Sequence, residues 1–315
     1  MDELYVTTRA IGTRATLTQL GAIARLDWLA PTRAQAESVN PEAAIGVFDS
    51  GLGGLTVARA ITEALPSEKL VYLGDTARVP YGTRSAETVI RYARSCARKL
   101  CEYDIKLLVV ACNTVSAVAL DMLRVELDMP VLGVIEPGAR AGARTTKNGR
   151  IGVIATAGTV RSGAYERAVA TANSRAEVFA QAAPLLVPLV EEGWLEGEVP
   201  TLAARRYLER LVVSNIDTLV LGCTHYPLLR GIIEREINAL TGREVPVVDS
   251  AHATAEELAG VLRDRGLASS NVGAGGITRL LVTDMPAQFA DSAARFLGRP
   301  VGDLNVEQVD LAPAL

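Results

Sequence analysis

The chain has 315 residues, 49% of them hydrophobic and 22% charged, with a formal charge of −4. That balance gives no basic footprint for nucleic acid or anionic membrane and directs attention to small-molecule chemistry. No apolar run approaches the ~18 residues needed to span a bilayer. Arg9, Arg14 and Arg25 break up the region where a signal-peptide core would lie, and the four cysteines are too few and scattered for a disulfide framework, so a soluble cytoplasmic chain is expected.

Residues 1–42 are rich in Thr, Ala and Arg and read as a poorly ordered N-terminal extension, with a weak amphipathic helix over 17–29 as the alternative. From Ala44 the pattern becomes strand, glycine turn, helix. Residues 45–48 form a short apolar strand, Asp49-Ser50-Gly51-Leu52-Gly53-Gly54 a turn, and 55–65 a helix stopped by Pro66. A strand over 69–73 leads into the polar loop 74–82. Ser85 is placed to cap a helix that runs to about Glu102. The apolar run 107–111 ends on Cys112, 116–127 is helical, and 130–135 is a strand ended by Glu136-Pro137-Gly138.

Then the pattern begins again. Arg150-Ile151-Gly152-Val153-Ile154-Ala155-Thr156 echoes Ile45-Gly46-Val47-Phe48-Asp49-Ser50, and Asp49 precedes Cys112 by 63 residues as Thr156 precedes Cys223 by 67. This spacing predicts an internal duplication. The fold expected is α/β: two similar, pseudo-symmetric α/β domains with mainly parallel sheets and a site in the cleft between them. Residues 43–137 plus 247–315 make the first, discontinuous domain, and 138–246 the second. The closing elements, from Val247 through a helix at 253–264, a strand at 276–283 and a helix at 286–297, return to the first domain.

The chemistry gathers at strand ends. Leu219-Val220-Leu221-Gly222 delivers Cys223, Thr224 and His225 together, and the run before Cys112 delivers Cys112, Asn113 and Thr114. In open α/β sheets ligands sit at the carboxyl ends of strands, and helix starts beyond them favour anions and thiolates. Cys96 and Cys101 read as packing residues, His252 as structural. Metal-ligand spacing, a Gly-x-Gly-x-x-Gly frame, a Walker lysine and a strand-end lysine for a pyridoxal Schiff base are all missing, so no cofactor and no metal are expected. Two thiols without a cofactor fit reversible proton transfer at a carbon centre, one thiolate removing a proton while the opposite thiol returns another.

The stretches 45–55, 72–82, 111–117, 219–229 and 282–298 resemble, in order, the motifs of the glutamate racemases, cofactor-independent members of the aspartate/glutamate racemase superfamily. The resemblance implies interconversion of L- and D-glutamate, supplying D-glutamate for peptidoglycan, by a protein that is commonly a homodimer; the charge balance implies neither nucleic acid nor membrane as partner. It implies that Cys112 takes the α-proton from D-glutamate with Asp49 assisting, and that Cys223 takes it from L-glutamate with His225 assisting. Ser50, Asn113, Thr114, Thr156 or Thr159, Thr224 and the Pro80-Tyr81-Gly82 loop would hold the substrate. Glu191 or Glu192 matches an acidic residue near the site, Glu191 being preferred, and Ala183 departs from the family pattern, where Cys is frequent. Relatives acting on aspartate carry Glu where this chain has His225. An aspartate or other amino-acid racemase of the same superfamily and a non-catalytic amino-acid-binding or regulatory protein are the alternatives.

Overall fold

The computed structural model describes residues 39–271, 273, 275–298, 300 and 306–311. The helix over 17–29 and most of the N-terminal extension lie outside them. At the end of that extension Glu42 is tied down: its carboxylate accepts from the Ser269 hydroxyl at 2.6 Å and the Ser270 amide at 3.0 Å.

Twice the chain runs through the same βα succession. The first run is β1 (Ala44–Asp49), α1 (Leu55–Ala64), β2 (Lys69–Gly74), α2 (Ala86–Cys101), β3 (Ile105–Val110), α3 (Asn113–Glu126), β4 (Val131–Gly133) and α4 (Ile135–Thr145). The second is β5 (Arg150–Ala155), α5 (Ala157–Ser162), α6 (Ala164–Ala172), β6 (Glu177–Ala182), α7 (Leu186–Glu191), α8 (Glu198–Val212), β7 (Thr218–Gly222), α9 (Arg230–Thr241), β8 (Val247–Asp249) and α10 (Ser250–Asp264). β9 (Gly276–Val282), α11 (Pro286–Leu297) and β10 (Val306–Gln308) close it.

All strand pairings are parallel, in a six-stranded sheet ordered β10-β9-β2-β1-β3-β4 and a four-stranded sheet ordered β6-β5-β7-β8. Within each run the order is the same: the second strand, the first, the third, the fourth. β1, β3 and β7 are buried along their whole length, because helices cover both sheet faces; this is why they read as unbroken apolar runs. Register confirms the duplication. Gly46 pairs with Leu108 and Gly152 with Leu219. At each glycine a Cβ would collide with an isoleucine methyl, 2.7 Å from Ile105 Cδ1 and 2.4 Å from Ile216 Cδ1. The aligned registers place Asp49 opposite Ala155 and Ser50 opposite Thr156, one position off the Asp49–Thr156 match used in the sequence count.

Two expectations change. The strand expected over 130–135 is cut to Val131–Gly133, and Ile135 opens α4 instead. Pro137 and Gly138 fall in its first turn, where proline sacrifices no intrahelical bond. Gly138 also lets that turn lie on Ser250, whose Cβ would stand 3.0 Å from an added Cβ. The segment from Val247 does not go straight back to the first sheet: β8 pairs with β7 and completes the second, and only β9 and β10 return.

Candidate active site

In both sheets the chain leaves the first strand for one neighbour and comes back on its other side, so the ends of β1 and β3, and of β5 and β7, flank a topological switch point where a crevice opens. Asp49 is the last residue of β1 and is fully buried. Its Oδ2 accepts from the Gly51 amide at 2.9 Å, while Oδ1 is buried with no hydrogen-bond partner among the described residues. Gly54 must be glycine here, since a Cβ would fall 2.4 Å from Asp49 Cβ. Burial pushes the Asp49 carboxyl above its ordinary range, and the charge of His225 opposes the shift.

Cys112 follows β3 and is the N-cap residue of α3. Its Sγ lies 3.5 Å from Ser50 Oγ. Burial, and after it the negative charge of Asp49, push this thiol up to about 12. Asn113 accepts a hydrogen bond from the Tyr165 hydroxyl at 2.9 Å, and its buried Nδ2 has no partner among the described residues. Thr114 reaches across to the other sheet: its Oγ1 is 3.0 Å from Thr156 Oγ1 and 3.5 Å from Thr159 Oγ1. Thr156 caps α5 by accepting from the Thr159 amide.

On the opposite side β7 delivers Cys223, Thr224 and His225, all buried. His225 Nδ1 lies 3.9 Å from Cys223 Sγ and 3.4 Å from Thr224 Oγ1, and Nε2 lies 3.0 Å from Glu191 Oε1. Burial alone would lower the imidazole, but hydrogen bonds to Cys223 and Glu191, and the negative charges there, hold it up at about 10. The two sides face one another, with Thr114 Oγ1 of the first 3.0 Å from Thr156 Oγ1 of the second. They are also stitched together, because the Thr56 hydroxyl on α1 donates to the Thr224 carbonyl at 2.9 Å. Gly53 is the close point: a Cβ there would stand 2.2 Å from Thr224 Oγ1 and 2.5 Å from His225 Nδ1.

The family model for Asp/Glu/Hydantoin racemases matches residues 45–258, the span that contains both switch points. The chain belongs to that racemase family. Glutamate racemase from Geobacter metallireducens is 53% identical over 271 residues, which are 86% of this chain and 98% of that one. Glutamate racemase from Neisseria meningitidis is 49% identical over 276 residues, 87% and 98% of the two chains. Among solved structures, a glutamate racemase isoform from Bacillus anthracis superposes with a TM-score of 0.81 at 40% identity, covering 86% of this chain and 99% of that one. Francisella tularensis glutamate racemase in complex with D-glutamate gives 0.78 at 33% identity, covering 86% and 98%.

Within this racemase the residues singled out from the sequence come together in one place with few exceptions. Of the two adjacent acids, Glu191 makes the histidine contact. Tyr81 turns its side chain away: its hydroxyl donates to Asp75, which also takes the Arg78 guanidinium at 2.6 Å and the Thr283 hydroxyl at 2.9 Å. Burial raises that phenol well above its ordinary value. The Pro80-Tyr81-Gly82 loop therefore meets the site through Gly82, where an added Cβ would be 3.0 Å from Thr156 Cβ. Cys96 is buried beneath the Arg78 guanidinium and Cys101 is exposed. His252 stands on α10, bonded to Asp249 at 3.0 Å and apart from the thiols. Sequence reasoning missed Thr56, Tyr165 and Phe296, the last with its ring edge-on to His225 at 5.4 Å between centroids. Thr56 and Tyr165 are identified only by long-range contact, whereas Phe296 lay in the stretch 282–298 and Gly53 in the flagged turn without either being assigned a role.

Proposed function

We propose that this protein interconverts L- and D-glutamate by a two-base proton transfer between Cys112 and Cys223. The observation that carries the mechanism is the pair of thiols at equivalent strand ends, each with an acid–base partner of its own, Asp49 for one and His225 for the other. The substrate assignment rests on extensive identity to proteins named glutamate racemase and on His225 standing after Cys223-Thr224.

Starting from L-glutamate, the Cys223 thiolate takes the α-proton: the C–H bond breaks, an S–H bond forms, and the electron pair stays on carbon. The Cys112 thiol then gives its proton to the opposite face, leaving D-glutamate and a Cys112 thiolate. No oxidation occurs, and proton exchange with solvent restores the starting thiol and thiolate. The cationic His225 imidazole stabilises the negative charge Cys223 carries as base, and Asp49 performs the corresponding proton handling beside Cys112. The unpartnered Asp49 Oδ1 is suited to the substrate ammonium. The Thr114, Thr156 and Thr159 hydroxyls, with the Asn113 amide, are suited to its carboxylates. An α-proton is far less acidic than a thiol, so the burial of both sulfurs serves to exclude water and strengthen these electrostatic contacts.

On this reading the substrate lies between a first domain of residues 43–137 plus 247–315 and a second of 138–246, with β8 crossing into the second sheet. The buried thiols call for the halves to part for substrate entry and close over it. The biological role is supply of D-glutamate for peptidoglycan, in a cytoplasmic homodimer. Among the described residues no helix is long and apolar enough to cross a membrane. The test is circular dichroism of L-glutamate, D-glutamate and L-aspartate incubated separately with purified protein. Racemisation of both glutamate enantiomers with aspartate unchanged is expected. Turnover of aspartate alone would move the substrate and retain the mechanism, and turnover of none would remove the enzyme reading.

A further inference from the structure

His225 belongs to the second sheet, yet the wall against which its ring rests comes from the other end of the chain. α11 follows β9 of the first sheet and packs on α1. From this helix Phe296, itself buried, sets its ring nearly perpendicular to the imidazole, at 86°. The preceding residue, Arg295, reaches the C-terminal end of α7. Its Nη1 donates to the Glu191 carbonyl at 2.7 Å and to the Val190 carbonyl at 3.3 Å. Carbonyls in the last turn of a helix lack intrahelical partners and attract cations. The guanidinium fits because residue 193 is a glycine at φ +77°, where a Cβ would come 2.9 Å from Arg295 Nη2.

These contacts have a common target. The Glu191 side chain is 43% exposed, and among the described residues its carboxylate has a hydrogen bond only to His225 Nε2. A surface carboxylate left to itself samples several rotamers, and ordering it costs entropy. Arg295 fixes the backbone from which that side chain springs, and Phe296 fixes the plane of the ring it meets. We propose that Arg295 and Phe296 are positioning residues for the Glu191–His225 pair, through which α11 of the first half arms the histidine of the second. The inference rests on the assignment of His225 to the Cys223 side of the reaction.

The groups that bear on His225 are Cys223 on its own segment, Asp49 at the end of β1 and Glu191 on α7, with the Arg295 guanidinium on the Glu191 carbonyl from α11. Loss of the Arg295 contact frees the Glu191 carboxylate to leave Nε2, and that loss of a paired anion should outweigh the loss of the guanidinium's own charge, so His225 should release its proton at lower pH. The chain has two histidines, and His252, 67% exposed and paired with Asp249, is an internal reference.

The experiment is NMR titration of both imidazoles in the full chain and in Arg295→Gln, Phe296→Leu and Glu191→Gln, each checked for native circular dichroism. His225 is expected to titrate about one pH unit or more lower in all three, a shift of about ten-fold in proton affinity, with His252 unmoved. Because it reads protonation, this result stands or falls whether or not glutamate is the substrate. Racemisation rates supply the second readout: Arg295→Gln should lower kcat by about ten-fold, within the ~10²-fold that misplacement of a reacting group costs. In a Glu191→Gln background the same change should add little, because both act through one pair. Unchanged His225 titration in folded Arg295→Gln and Phe296→Leu would overturn the proposal, as would losses from Arg295→Gln and Glu191→Gln that multiply independently.

Discussion

The two sides of the site share a backbone plan and differ in charge. Register equates Cys112 with Cys223 and Ser50 with Thr156, a thiol for a thiol and a hydroxyl for a hydroxyl. It also equates Asp49 with Ala155, and Thr114 with His225. Each half thus carries its ionisable partner where the other carries a neutral side chain. The consequence is electrical: burial and the Asp49 charge push Cys112 up to about 12, whereas His225 stands beside Cys223 as an imidazolium held at about 10. Duplication set the thiols at equivalent strand ends, and divergence there gave them partners of opposite charge, a carboxylate beside Cys112 and an imidazolium beside Cys223. In each direction one sulfur must hold a proton while the other lacks one, so each needs a partner that suits both of its states.

The largest test of the comparison is removal of either sulfur. Cys112→Ala and Cys223→Ala should each lower kcat/KM by roughly 10³-fold. Because enantiomers have equal free energy, the loss must be the same in both directions when measured by polarimetry. Loss confined to one variant would mean that the second thiol is not a base.

Next come the unequal partners. Asp49→Asn and His225→Asn should each cost about 10²-fold in rate, with opposite effects on their surroundings. Removing the Asp49 charge should let Cys112 be alkylated at lower pH, mapped by mass spectrometry of the modified peptide, whereas His225→Asn should not ease Cys112 in this way. A smaller effect is expected from Glu191→Gln, about ten-fold in rate at neutral pH. Here the sign follows from the raised imidazole: His225 keeps its proton, and the stabilisation of its ion pair, fully below the ordinary value of ~6.5, and loses both as pH rises through about 10. Without the glutamate the alkaline limb of kcat/KM should move down toward the ordinary value; a limb that stays in place would separate Glu191 from the histidine.

The smallest effect belongs to Tyr165→Phe. It leaves Asn113 Oδ1 without its buried donor and should cost about 1–3 kcal/mol of stability in urea unfolding, with only a few-fold change in rate. A variant as stable as the parent would show that Asn113 finds another partner.

Much of this was legible in the sequence because buried parallel strands announce themselves as apolar runs and their ends carry the polar residues. Cys112, Cys223, Asp49 and His225 all stand directly at or after such ends. The Ser85 cap, whose side chain accepts from the Thr88 amide, and the closing helix Pro286–Leu297 were legible for local reasons. What failed was non-local or locally misleading. Glu136-Pro137-Gly138 reads as a stop although the first turn of a helix accepts it. β6 is a partly exposed edge strand with a mixed pattern, and β8 has three residues whose place depends on pairing with β7. Tyr81 sits in a flagged loop, but the Asp75 carboxylate captures its side chain. Arg295 and Phe296 lie some seventy residues beyond His225, and no spacing rule connects them.

Two different sulfurs serving the two faces of one carbon would leave their mark in the fate of deuterium during the first turnovers. Protiated D-glutamate would be mixed with the enzyme in D2O and both enantiomers resolved and examined by NMR at low conversion. L-glutamate should carry deuterium at Cα, delivered by solvent-equilibrated Cys223, while the remaining D-glutamate keeps its proton. Product that retains the original proton, or deuterium entering D-glutamate as fast as L-glutamate appears, would mean that one group serves both faces and would contradict the two-sulfur transfer.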